Sequence, residues 1–436
     1  MVHDYLATQN LSSTRTSTGR LAAASAVGTT LEWYDFTAYN TLAALIFGSL
    51  FFPSFDPLTG TILAFSTYAV GYLSRPVGGV VFGHLGDRLG RRFVLFVTLI
   101  TMGLTTSLMG LLPTYASVGI LSPILLVTLR FVQGVALGGE WAGAVLISVE
   151  HGDQEKRGRN ASFTQVGPSL GTLLATGCIA LISYLLSPDE FLSWGWRIPL
   201  LASIVLVGCG LWIRLGVDET PMFKELEESG AKARKPIGDV LKFYWRRLLI
   251  AGCARVGSDV LYALFAIFSL TYVTSVLNLS RTLALTAIMI GAVFNALAIP
   301  ACGALSDRVG RRPVYAVGAV LAMLWAFGFF VLVDRANPVS IVMAVVIGYL
   351  IHALMFGPQA AFVTEQFPTR VRYAGSSMAY TLSGIVGGGF APLIMASLFQ
   401  TYRTTTAISL YVEATLCVTL VALLVARETA KLPLEE

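Results

Sequence analysis

The sequence predicts an all-α membrane protein, twelve transmembrane helices in two pseudo-symmetric six-helix bundles, on three observations. Charged residues make up 13% of the 436 and hydrophobic residues 55%, with a mean hydropathy of +0.72. Soluble domains run near 25% charged, so this chain has too few polar side chains to coat a water-facing surface. A soluble enzyme, a disordered chain and a nucleic-acid binder are excluded on that ground. Twelve apolar stretches each approach the roughly 20 residues that cross a bilayer. Motifs of the first half recur in the second at an offset of 220 residues.

Residues 1–20 form a polar, Ser/Thr-rich tail without the apolar core and small-residue cleavage site of a signal peptide. The first bundle, 21–215, holds six stretches. The first, 22–48, carries Glu32 and Asp35, and the second, 59–83, runs through Arg75-Pro76 into a glycine-rich end. Stretch 93–113 is free of charge, 122–147 carries Arg130 and Glu140, 161–186 holds Gly167-Pro168, and 197–215 is apolar between Arg197 and Arg214. A central loop, 216–247, is acidic at first (Asp218, Glu219, Glu225) and then basic (Lys242, Arg246, Arg247). The second bundle, 248–426, begins with 248–277, which carries Arg255 and Asp259. Stretches 283–305 and 313–333 flank the repeated basic loop, 339–361 contains His352, 374–399 is glycine-rich, and 405–426 carries Glu413. Residues 427–436 form a second short tail.

Lys and Arg set the orientation. With the N-terminus inside, 23 of the 30 fall on cytoplasmic segments and four (Arg197, Arg281, Arg335, Arg403) on the opposite side. Both termini are therefore expected in the cytoplasm, with an even number of spans. The five cysteines have no CxxC pair and no His partner at metal spacing; they read as small buried hydrophobes. No Walker loop, nucleotide fingerprint or HExxH motif appears, so no metal or cofactor is expected and an ATP-driven pump is disfavoured.

The repeat is parallel. Gly83-His84-Leu85-Gly86-Asp87-Arg88-Leu89-Gly90-Arg91-Arg92 follows the second stretch, and Gly303-Ala304-Leu305-Ser306-Asp307-Arg308-Val309-Gly310-Arg311-Arg312 follows the eighth. Glu150 and Arg157-Gly158-Arg159 follow the fourth stretch; Glu365 and Arg370-Val371-Arg372 follow the tenth. An Asp at a helix end suits a helix N-terminus or a nearby Arg. Gly83, Asp87, Arg88, Gly90, Arg91 and Glu150, with Asp307, Arg308, Gly310, Arg311, Glu365 and Arg370, are thus candidates for a conformational latch.

The Asp-Arg-x-Gly-Arg-Arg loops resemble the signature of the major facilitator superfamily. Glu32-Trp33-Tyr34-Asp35-Phe36, Arg75-Pro76-Val77-Gly78-Gly79, Arg130-Phe131-Val132-Gln133-Gly134 and Glu365-Gln366-Phe367-Pro368-Thr369-Arg370 resemble its metabolite:proton symporter family. Phe191-Leu192-Ser193-Trp194-Gly195-Trp196-Arg197-Ile198-Pro199 and His352 are similar to the shikimate-transporter branch. The resemblance runs through all twelve stretches. It implies the major facilitator fold and secondary transport of shikimate, α-ketoglutarate, citrate and related carboxylates, or of proline and betaines, without choosing among them. The chain departs from the family in having Ser258-Asp259 where many members carry Glu-Asn, and in the acid Glu413. Gly167-Pro168-Ser169-Leu170-Gly171 partly resembles an antiporter motif of drug exporters.

Ionisable groups within spans cost about 2.5–3.5 kcal/mol each on insertion scales, so each is a functional candidate. Glu32, Asp35 and Tyr39 are spaced i, i+3, i+7 and share a helix face. Arg130 and Gln133 share another. A buried carboxylate beside a guanidinium keeps its charge; dry and alone, a carboxylate takes a proton. In sugar:proton symporters an Asp on the first span faces an Arg on the fourth, and the resemblance puts Asp35 and Arg130 in those places. Asp35, with Glu32 as its rival, is the expected proton site and Arg130 its partner. Arg130 and Arg255 are candidate carboxylate clamps, since the planar guanidinium donates two parallel hydrogen bonds. Gln133, Tyr34, Tyr39, Asp259, Tyr262 and His352 are candidates to orient the rest of a substrate. The expected protein is a monomeric, proton-driven importer of a small organic acid in a bacterial inner membrane. A zwitterion symporter and a proton-coupled exporter are the alternatives.

Overall fold

A computed structural model describes residues 18–79, 81–82, 91–138, 145–146, 154–215 and 236–432. Gly83, Asp87, Arg88, Gly90, Glu140 and Glu150 lie outside these residues, as does the side chain of Arg91. Each apolar stretch falls on a helix. In order these are α1 (Thr18–Leu42), α2 (Pro57–Leu73), α3 (Arg91–Leu111), α4 (Leu121–Ala136), α5 (Arg157–Leu185), α6 (Arg197–Leu215), α7 (Trp245–Ala263), α8 (Arg281–Val309), α9 (Arg311–Val333), α10 (Pro338–Glu365), α11 (Thr369–Ser383) and α12 (Thr405–Val425). Among the described residues there is no strand. A backbone in hydrocarbon must satisfy its own hydrogen bonds, and the helix does so within one segment.

Three helices run on through π turns. Ala43–Phe47 prolongs α1 to Phe51, Leu264–Phe268 and Tyr272–Val276 prolong α7, and Gly384–Gly389 carries α11 on to Tyr402. Helix starts are set by local chemistry. Asp56 accepts from Thr59 N and is followed by Pro57; Ser280 accepts from Leu283 N; Asn337 accepts from Val339 N and is followed by Pro338. Among the described residues, α5 and α7–α12 are each long and apolar enough to cross a bilayer, and α6 reaches that length only together with the preceding Pro188–Gly195, from which it is bent by 47°. At that bend Arg197 donates to the carbonyls of Gly110 and Leu112 at 2.8 and 2.7 Å, closing the C-terminal end of α3. The Phe191–Pro199 segment thus has a structural task.

Leu297, Leu324 and Leu424 are more than 70% exposed, a placement that suits lipid and not water. The same logic corrects the reading of the cysteines: Cys302 is buried, but Cys178 and Cys253 are half-buried and Cys417 is exposed. The first and second halves meet along α5 against α8 and along α2 against the second part of α11. Three glycines allow close approach. A Cβ on Gly167 or Gly171 would stand 2.6 or 2.7 Å from Thr29 or Trp33, so α1 lies tight on α5. A Cβ on Gly389 would stand 2.8 Å from that of Tyr72, so α2 lies tight on the π turn of α11.

Candidate functional site

Between the halves lies a central cavity of about 20 Å³, room for about one water. Trp33 of α1, Tyr68 and Tyr72 of α2, Phe356 of α10 and Tyr380 of α11 form its aromatic wall, with Arg255, Asp259 and Tyr262 of α7. The halves touch on both sides of it. Toward the ends that carry the termini, α5 and α8 are joined by hydrogen bonds. Toward the opposite end, Gln400 donates to Thr59 at 2.7 Å, and the Arg281 guanidinium lies over the Phe191 ring at 4.7 Å. Among the described residues, the halves meet at both ends of the cavity.

Arg255 and Asp259 sit one turn apart and pair side-on. Arg255 Nε reaches Asp259 Oδ2 at 2.9 Å and Nη2 reaches Oδ1 at 3.0 Å. Ser383 donates to Asp259 Oδ2 at 3.0 Å, and the guanidinium lies 3.6 Å from the Tyr380 ring centre. Of the residues expected to bind substrate, Arg255, Asp259 and Tyr262 line the cavity; the Arg255 fork is already engaged by Asp259.

The expected Asp35–Arg130 ion pair is not formed. Asp35 Oδ1 accepts from Ser203 of α6 at 2.5 Å, while Oδ2 has no hydrogen-bond partner. Arg130 donates to Gln133, which in turn donates to Thr106 at 2.6 Å. The guanidinium lies over three rings, Tyr39 at 4.1 Å, Phe36 at 4.4 Å and Tyr68 at 5.0 Å, and its Nε and Nη2 have no hydrogen-bond partner. The physical reason is competition. Three aromatic faces hold the cation, and a serine on a third helix takes the carboxylate. Both groups are wholly buried.

The remaining expected residues are placed apart from the cavity. Tyr34 donates to the Pro199 carbonyl at 2.9 Å, and Tyr39 bonds Thr67. Glu32 is buried, within electrostatic reach of Arg75 of the first half and Tyr380 of the second, while Asp35 bonds Ser203 of α6. His352 stands behind the wall, stacked on Phe356 at 4.8 Å and 6.1 Å from Tyr262. Trp33, Tyr68, Tyr72, Phe356 and Tyr380 were not singled out as wall residues by sequence. The one available signal, Tyr68 and Tyr72 spaced i, i+4, carries no charge.

At the termini-bearing end, Asp307 of α8 accepts from the backbone N–H groups of Gly158 and Arg159 at 2.8 and 2.9 Å. An anion from the second half thus caps the N-terminus of α5 in the first. Arg311 Nη1 bonds Asp307 at 2.6 Å and its Nη2 meets Glu365 at 3.2 Å. Arg157, part of the repeat but not among the latch candidates, lies 3.2 Å from Glu365 and donates to the carbonyls of Thr429, Ala430 and Leu432 at 3.2, 3.2 and 2.8 Å. Glu428 accepts from Arg311 N and Arg312 N, both at 2.9 Å, above Gly310, whose φ of +117° only glycine adopts with ease. Arg308 is exposed, and Arg370 meets Asp239 at 3.8 Å on the surface, so neither joins the buried network.

A family model of the Major Facilitator Superfamily matches residues 25–392. The chain is 37% identical over 418 residues to the inner membrane metabolite transport protein YhjE of Escherichia coli K12, with 95% of each covered. It is 41% identical over 382 residues to the shikimate transporter of the same strain, with 87% of each covered. To that strain's proline/betaine transporter it is 33% identical over 428 residues, 94% of this chain and 84% of that one. Among solved structures, the xylose transporter XylE from E. coli, partially occluded and inward open, shares the fold with a TM-score of 0.72 at 17% identity, over 96% of this chain and 99% of that one.

Proposed function

Because the chain belongs to the Major Facilitator Superfamily, we propose that it takes up a small organic acid together with protons, by alternating access of its two halves. It is a multi-pass membrane transporter and not an enzyme. The observation that carries the reading is the pair of half-satisfied polar groups in the first half: Asp35 Oδ2, and Arg130 Nε and Nη2, all buried without a hydrogen-bond partner. Orphaned polar atoms in a dry interior are costly. A movement of the halves that brings Arg130 or water to Asp35, or takes them away, changes which protonation state is favoured. A proton then moves with each cycle, and the proton gradient is the driving force; no cofactor is needed.

For the substrate, the guanidinium of Arg255, once released from Asp259, suits a carboxylate, and the hydroxyls of Tyr68, Tyr72 and Tyr380 suit a hydroxylated ring. The likeness to a shikimate transporter supports that choice. The zwitterion reading gains one observation. Trp33, Tyr72, Tyr262 and Tyr380 come from four helices around Asp259, an aromatic cage of the kind that holds a quaternary ammonium, and a proline/betaine transporter is among the relatives. The concentration of Lys and Arg at the termini-bearing end, and a relative named as an inner membrane protein, support a bacterial inner membrane with both termini cytoplasmic. We take the working unit as a monomer.

The test is uptake by proteoliposomes of shikimate, α-ketoglutarate, citrate, proline and betaine, with and without an inside-alkaline gradient. Carboxylate uptake stimulated by the gradient, and Asp35→Asn uptake indifferent to it, is the expected result. Uptake indifferent to the gradient in the unmodified protein removes proton coupling; betaine taken up in preference to the acids moves the substrate to the second reading.

A further inference from the structure

One face of α5 carries Gln165, Ser169 and Thr172, spaced i, i+4, i+7, and each meets the second half. Gln165 reaches Gln359 at 3.4 Å, Ser169 donates to Asn295 Oδ1 at 2.7 Å, and Thr172 meets the Tyr262 hydroxyl at 2.7 Å. The middle rung leads inward. Asn295 Nδ2 donates to the Tyr349 carbonyl at 2.6 Å, which fixes the amide: reversed, its oxygen would face another oxygen. The second Nδ2 proton faces His352 Nδ1 at 3.3 Å. Nδ1 therefore accepts, the ring proton sits on Nε2, and Nε2 donates to Ser258 at 3.3 Å. Ser258 precedes Asp259 of the cavity wall, and the His352 ring stacks on Phe356 of that wall. Ser169, Asn295, His352 and Ser258 are all at most 3% exposed.

We propose that Asn295 is a positioning residue that ties the closure of α5 on α8 to the tautomer and orientation of His352 behind the cavity. In this chain of contacts only the Ser169 bond crosses between the halves. Opening the termini-bearing end breaks it and leaves Asn295 Oδ1 without its donor. An amide with an orphaned oxygen in a dry site turns toward any new donor, and its N–H leaves His352 Nδ1. By reciprocity, a ligand that shifts Ser258 or Phe356 biases the closure of the end. The inference rests on the alternating-access reading above. Its readouts need neither substrate nor a proton gradient, so a failure of proton coupling leaves it standing.

The experiment uses the full chain in lipid, with ¹⁵N-histidine solid-state NMR and spin-label distances across the termini-bearing end. His352→Gln assigns the His352 signal among the four histidines. The unmodified protein should show the Nε2–H tautomer. Asn295→Leu, of similar volume, should give a mixture of tautomers. It should also raise the open fraction about fivefold, the effect of one buried hydrogen bond. Ser169→Ala should raise the open fraction by the same factor and, because it removes the donor to Asn295 Oδ1 in the closed form as well, should also mix the tautomers. The double variant should open no further than either single one. An unchanged His352 signal in Asn295→Leu, or additive opening in the double variant, overturns the proposal. Should Asn295→Leu fail to fold, Ser169→Ala decides alone: an unchanged open fraction overturns the proposal.

Discussion

Asp307→Asn probes the join between the halves directly. Asp307 caps α5 through two backbone N–H groups and holds Arg311. Asparagine keeps one acceptor oxygen, so one backbone bond survives and the charge is lost. An anion at a partly buried helix N-terminus is worth up to ~2 kcal/mol, and the lost hydrogen bond about 1 kcal/mol. The closed end is then disfavoured by about 2–3 kcal/mol, or about 30- to 150-fold in the closed-to-open ratio. The assay is a spin-label distance distribution between positions 156 and 373, exposed residues of the first and second halves, in a variant freed of its native cysteines. A long-distance population should grow in Asp307→Asn. A distribution that superimposes on that of the parent, from protein with the same melting midpoint, refutes the reasoning.

Three further outcomes are expected. Arg130→Lys removes the planar fork and its stacking on three rings, each contact worth about 0.5–2 kcal/mol; gradient-stimulated uptake should fall about tenfold, and an unchanged rate removes Arg130 from proton coupling. Gly389→Ala places a Cβ 2.8 Å from that of Tyr72 and should cost about 1–3 kcal/mol of thermal stability, whereas Gly208→Ala, with nothing within 4 Å, should cost nothing. Glu428→Ala uncaps α9, which should lower the melting midpoint by an amount equivalent to about 1–2 kcal/mol; an unchanged midpoint means that water replaces the carboxylate at no cost.

Hydropathy made the helices legible because in a bilayer the signal for a span is its whole length. It underestimated α5, α8 and α10, which run on to Arg157, Val309 and Glu365, because their charged ends lie beyond the apolar core. Sorting the charges led to Arg255 and Asp259, which face each other one turn apart. The same sorting missed Trp33, Tyr72 and Tyr380, since an aromatic residue in a span looks like any other apolar one until four helices are brought together. The shared face of Glu32, Asp35 and Tyr39 is true of an isolated helix. It says nothing of Ser203 on α6 or Thr67 on α2, and those neighbours send the three side chains to different partners. Asn295 carries no charge and belongs to no motif; only its three partners on two other helices, Ser169, Tyr349 and His352, give it significance.

The π turns bear on how these helices tolerate insertion and deletion. Removing one residue from an α-helix turns everything beyond it by about 100°, which in α10 would swing His352 away from Asn295. A π turn already holds one residue more than the regular repeat. Deleting a residue within Leu264–Phe268 lets that turn tighten to an ordinary one, with Arg255 and Asp259 on one side and Tyr272 on the other keeping their faces. The prolonged helices α1, α7 and α11 therefore each carry a place where chain length and side-chain direction are uncoupled, and those of α7 and α11 border the cavity.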